Sequence, residues 1–73
     1  MIVEITKISS ATPVIGLKLN TPLKGQLLRL PEVGHPCCVK GVTTANVTEI
    51  TKKTSEEIHF KTKISEYILK LNQ

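Results

Sequence analysis

The side chains in this chain that could do chemistry are few: His35, Cys37 and Cys38 close together, His59 some distance on, and the consecutive pair Glu56 and Glu57. Zinc takes four ligands in a tetrahedron, usually delivered as two spaced pairs. Neighbouring side chains on an extended chain point to opposite faces, so Cys37 and Cys38 diverge, and His59 falls on a different segment. These residues read as a small core thiol at Cys37, a surface thiol at Cys38 and a solvated loop imidazole at His35. Nucleophilic catalysis needs a thiol or hydroxyl, a His and an orienting group within reach of one another. Across His35-Pro36-Cys37 a relaxed strand does not bring the imidazole onto that thiol. Glu56 and Glu57 are neighbours in a charged turn, not a facing acid and base. Gly16, Gly25, Gly34 and Gly41 are isolated, so no glycine-rich loop is present to cradle a phosphate. The expectation is a domain that is not an enzyme, with no metal, no cofactor and no small-molecule substrate.

What must position the remaining side chains is a single small core. Residues 1–73 make one domain, and a chain of this length buries only roughly 60% of its unfolded surface. Val, Ile and Thr account for 23 residues while Ala appears twice, at Ala11 and Ala45. β-Branched side chains lose rotamer freedom in helices and pack well on a pleated surface. Composition therefore favours strands. Adjacent cysteines cannot bridge without distorting the peptide between them, which leaves the thiols reduced and favours a cytoplasmic protein. Glu4 and Lys7 stand where the apolar region of a signal peptide would lie, and no apolar run approaches the length of a membrane span. Asn46-Val47-Thr48 matches a glycosylation sequon, which without a secretory route is a chance match.

In chain order, Ile2–Ile8 predicts a first strand, and Ser9-Ser10-Ala11-Thr12-Pro13 a turn. Val14–Leu19 alternates, with Ile15, Leu17 and Leu19 on one face. Asn20-Thr21-Pro22 breaks the chain. Lys24–Leu30 predicts another strand, with Leu28 and Leu30 inward and Arg29 outward. Pro31-Glu32-Val33-Gly34-His35-Pro36 is the clearest loop, two prolines bracketing a glycine. Cys37–Val42 resumes the extended pattern with Cys37 and Val39 inward.

From Gly41 to Leu71 two readings compete. As β-structure, Thr48–Lys52 pairs with Glu57–Thr62 across Lys53-Thr54-Ser55-Glu56, and Ile58 and Phe60 face inward. A kink at Lys63–Ser65 then turns Tyr67, Leu69 and Leu71 inward. As a helix, Phe60, Ile64, Tyr67, Ile68 and Leu71 share one face, with Thr54 and Glu57 as a capping box. The residues Thr44-x-x-Val47-x-x-Ile50, then Phe60-x-Thr62-x-x-Ser65-x-Tyr67-x-Leu69, resemble the closing half of small SH3-like β-barrels found among orphan proteins of bacteria, phages and mobile elements. The resemblance covers residues 23–71 and implies a fold but no active residue. The expected architecture is all-β, a small SH3-like barrel of five to six antiparallel strands. The alternative is α+β with a C-terminal amphipathic helix over 55–71. The expected core is Ile15, Leu17, Leu28, Leu30, Val39, Val47, Ile50, Ile58, Phe60, Tyr67 and Leu69.

The formal charge is +4. Residues 1–46 carry Lys7, Lys18, Lys24, Arg29 and Lys40 against Glu4 and Glu32, a net of +3, and the rest carries five Lys against four Glu. The excess permits an acidic partner without demanding one. Phe60 and Tyr67 are the only aromatics, and both are expected in the core, which leaves no platform for stacking bases. A protein partner, whether a host protein or a second copy of this chain, is therefore expected first. Contact would come through exposed strand edges, including homodimer pairing, or through Val33, Val14 and Leu27 around the proline-bracketed loop. The resemblance extends this to a phage or mobile-element regulator or inhibitor of a bacterial host factor. The alternative is a basic barrel that binds DNA or RNA through phosphate contacts. The partner-binding candidates are Lys18, Lys24, Arg29, Val33, His35 and Lys40.

Overall fold

The computed structural model describes residues 1–11 and 17–71. Its strands are β1 (Ile2–Ser10), β2 (Leu23–Arg29), β3 (Pro36–Val39), β4 (Val42–Lys53), β5 (Glu57–Thr62) and β6 (Ser65–Lys70). Each pairs antiparallel with the next, and β6 returns to β1 to close a barrel. This is the all-β architecture expected, consistent with a small SH3-like barrel. No helix lies among the described residues, so none is long and apolar enough to cross a membrane.

The helical reading of 55–71 fails for a reason visible in the turns. Thr54 Oγ1 accepts the Glu56 and Glu57 amides at 3.2 and 3.0 Å. The Thr54 amide in turn donates to the Glu57 carbonyl at 2.9 Å. A threonine hydroxyl binding amides two and three residues on caps a helix, but it equally closes a hairpin. The same device recurs between β5 and β6, where Thr62 Oγ1 accepts the Ser65 amide at 3.1 Å. The turn at Lys63 and Ile64 resets the alternation, so Ile58, Phe60 and Thr62 on β5 and Ser65, Tyr67 and Leu69 on β6 all face inward. At the first of these turns Glu57 holds Lys52 and His59, each at 3.0 Å. Those hydrogen bonds, Lys52 first, keep its carboxyl below the usual range.

The core consists of Val3, Ile5, Cys37, Val39, Val47, Ile58, Phe60, Tyr67 and Leu69, with Leu17, Leu23, Leu27, Val42, Ile50 and Leu71 packed against it. Phe60 and Tyr67 stack across β5 and β6, with centroids 5.2 Å apart.

Four sequence expectations are corrected. Leu28 and Leu30 lie outside, 64% and 48% exposed, because β2 turns Leu23, Gly25 and Leu27 inward instead. Gly25 decides that parity. A Cβ there would meet the Lys40 carbonyl and the Val39 side chain, both at 3.1 Å, so the glycine lets β2 press against the β3–β4 turn. Alternation then puts Leu28 outside, and a register shift between Leu27 and Arg29 keeps Arg29 exposed as well. Second, Cys37–Val42 is not one strand: the chain reverses at Lys40 and Gly41, where Gly41 takes φ 97°. Third, Ser9 and Ser10 extend β1 past a bulge instead of starting the turn. Fourth, Leu19 is 40% exposed and joins β1 only through a parallel bridge to Lys7. Val14 and Ile15 lie outside the described residues.

Phe60 is 1% exposed, so Phe60→Ala should cost about 3–5 kcal/mol, a large share of the stability of a domain this size. Urea denaturation followed by circular dichroism should show the variant largely unfolded in buffer, whereas Phe60→Leu should remain folded with a lowered midpoint. An Ala variant as stable as the parent would contradict this packing.

Candidate interaction surface

The six candidate residues fall into two groups and an isolated member. Arg29, Val33 and His35 follow one another along the end of β2 and the loop into β3. That loop is shaped by local hydrogen bonds: the His35 amide donates to the Glu32 carbonyl at 2.9 Å, and Gly34 at the corner takes φ 91°. The Gly34 amide donates to the Val47 carbonyl, and the Val47 amide donates to the His35 carbonyl. Pinned to β4 in this way, the loop leaves Val33 57% exposed. His35 Nε2 lies 4.0 Å from Glu32, both side chains well exposed, a pair worth little in water.

The second group is Lys18 and Lys40. Lys18 lines a cavity that Gly41 also borders, and Lys40 precedes Gly41 in the turn. Lys24 stands apart on the outer face of β2. There it pairs in register with Glu4, which has Lys70 on its other side. The cations thus do not form one stripe, and a carboxylate interrupts the outer face.

Beside the first group, and sharing Val33 with it, lies an apolar strip, of which Leu28 and Leu30 were expected in the core. Leu28, Leu30 and Val33 are all roughly half exposed or more within six residues. Met1 and Ile2, 57% and 45% exposed, run alongside: the Leu27 amide donates to the Met1 carbonyl at 2.9 Å, and Ile2 is opposite Gln26. Leu27, expected as a contact, packs on the core instead.

Barrel closure removes most of the strand edges on which pairing with a partner would depend. Beyond Val47 no strand lies against the outer side of β4 among the described residues. That stretch carries Glu49, Lys52 and Lys53 and two register shifts, features that discourage edge-to-edge pairing.

The two thiols diverge as the strand pattern requires. Cys37 is fully buried, its amide donating to Thr44 Oγ1 at 3.0 Å, while Cys38 is half-buried on the other face. Burial, with a smaller contribution from Cys38, pushes the Cys37 thiol up to about 12. Among the described residues no three metal-capable side chains gather.

The residue that sequence reasoning missed is Lys7. It is 5% exposed, and its Nζ lies 5.8 Å from the Tyr67 ring centroid. The signal was present: Val3 and Ile5 set a two-residue period that carries Lys7 onto the same inner face.

Comparison with known proteins returns no match: no family model, no curated protein and no solved structure matches this chain.

At pH 8 in the folded protein, one thiol per chain should react with iodoacetamide, at Cys38, and the second only on unfolding. Two thiols reacting at one rate in the native state would contradict the inward placement of Cys37.

Proposed function

We propose that this domain works by binding another protein, through the apolar strip at the end of β2 and the loop that follows. The observation that carries this reading is the exposure of Leu28, Leu30 and Val33 within six residues, flanked by Arg29 and His35. Single exposed apolar residues are ordinary, but several together beside polar residues mark a surface that a partner covers. Burying such side chains in a partner's pocket is worth roughly 1.5–3 kcal/mol each. Arg29 is of the residue type enriched at protein interfaces.

Edge pairing is a poorer route here, since the open side of β4 is charged and bulged. The resemblance to barrels of phages and mobile elements turns the reading toward a regulator or inhibitor of a bacterial host factor. DNA or RNA binding is the second reading, and the scattering of Lys18, Lys24, Arg29 and Lys40 favours it less. Phosphate-tracking surfaces gather their cations along one face, whereas Lys24 here sits opposite Glu4.

The test is affinity capture from a nuclease-treated bacterial lysate with the wild type and a Leu28→Ser/Val33→Ser double variant. Both sites are exposed, so the variant should fold like the parent, and it should lose a protein that the wild type retains. Equal retention by the two forms would overturn the role of the strip. Recovery of nucleic acid alone from untreated lysate, released steeply by moderate salt, would favour the second reading.

A further inference from the structure

The order of side chains along the exposed strip carries information that its apolar content alone does not. From Leu28 the chain runs Leu28-Arg29-Leu30-Pro31-Glu32-Val33. Pro31 is buried and anchors the middle of the segment, while the residues on either side of it are exposed. The two ends are held as well. Arg29 lies opposite Cys38 in register, and Val33 bridges to Val47, whose carbonyl accepts the Gly34 amide at 2.8 Å. A surface fixed in this way before binding has little freedom left to lose on association.

The charges within the strip have opposite signs. Among the described residues Arg29 forms no ion pair, and Glu32 meets only the exposed His35, at 4.0 Å, a contact worth little in water. A uniformly acidic or basic partner would therefore set one of these two charges against its own kind, which is costly at an interface. A second copy of the segment does not. In a two-fold interface, if one residue meets another across the axis, the second also meets the first. With the two segments laid antiparallel about an axis between Leu30 and Pro31, Arg29 of each copy faces Glu32 of the other. The apolar side chains then meet between the charges. Three aliphatic side chains and two charged ones cover less than the about 800 Å² per partner of a standard stable interface, so the dimer is of the weaker, concentration-dependent kind.

We propose that a second copy of this chain covers the strip, in a two-fold homodimer closed by Leu28, Leu30 and Val33 and by two Arg29–Glu32 pairs. This rests on the reading of the strip as a protein-binding surface and adds a regulation of it. The dimer masks the strip, dilution opens it, and a different protein reaches it only by displacing a copy. The sequence pattern pointed to dimers through strand edges. Here the open side of β4 is charged and carries two register shifts, and the self-complementary surface lies elsewhere.

The test is sedimentation equilibrium over a concentration series from low micromolar to millimolar, with amide chemical shifts recorded over the same series. The wild-type mass should rise from one chain toward two, with concentration-dependent shifts centred on residues 28–35. Leu28→Ser/Val33→Ser should stay at one chain. Arg29→Glu and Glu32→Arg should each weaken the dimer about tenfold or more, because symmetry counts every changed contact twice. The double variant Arg29→Glu/Glu32→Arg should recover it. All these side chains are exposed, so the variants should keep the parent's circular dichroism spectrum. The proposal is overturned by a mass that stays at one chain, by shifts centred on residues 48–53 of β4, or by a dimer that both single reversals leave intact. A monomeric wild type whose Leu28→Ser/Val33→Ser form still loses a captured protein would overturn the dimer alone and leave the protein-binding reading standing. A dimer that responds as described, with equal capture by the two forms, would support the dimer and overturn that wider reading.

Discussion

The stack of Phe60 on Tyr67 is the contact on which the rest of this barrel depends. The rings lie 5.2 Å apart at 16° between planes, joining β5 to β6. Register continues the rung on both sides, from Ile50 on β4 through Phe60 and Tyr67 to Lys7 on β1. One line of side chains thus crosses four of the six strands, including the β1–β6 seam that closes the barrel. In a chain with a small core these two rings are the largest apolar surfaces available, and an aromatic pair contributes about 0.5–1.5 kcal/mol beyond its buried area. Their use here has a functional consequence: neither ring is left to stack on a base.

Tyr67 faces two ways. One side meets Phe60 and the core, and the other lies under the Lys7 ammonium and borders both cavities. The barrel is therefore apolar through the Phe60 half of the rung and polar at the Lys7 end. Thr44, Thr62 and Ser65, buried hydroxyls that line the smaller cavity, belong to that polar end, and each takes part in a hydrogen bond. The chemically distinctive part of the molecule is thus inside one end of the barrel, while its apolar strip is outside, along the end of β2.

Much of the second half was legible in the sequence because its constraints are local. Two threonine-led turns and a two-residue alternation fix β4, β5 and β6, and Ile58, Phe60, Tyr67 and Leu69 face inward as that alternation requires. The helical alternative arose because a threonine hydroxyl three residues ahead of a backbone amide serves a helix cap and a hairpin alike. The first half was harder. Leu23, Leu27, Leu28 and Leu30 offer β2 two opposite parities, and apolar content alone does not choose between them. The choice comes from a long-range contact, the approach of Gly25 to the Lys40 carbonyl and Val39, which no local pattern contains. Lys7 was missed for a different reason: a lysine on a short strand is ordinarily an outward residue, and only the phase set by Val3 and Ile5 says otherwise.

The central claim, that Lys7 lies inside the closed barrel against the face of Tyr67, is tested most directly by the proton chemical shifts of the Lys7 side chain. With Nζ 5.8 Å from the ring centroid, the δ and ε methylene protons should be shifted upfield by the Tyr67 ring current. They should also show cross-relaxation to the Tyr67 ring protons, and the upfield shift should disappear in Tyr67→Leu. Lys7 methylene protons at the positions of a solvated lysine, with no cross-relaxation to Tyr67, would contradict the account.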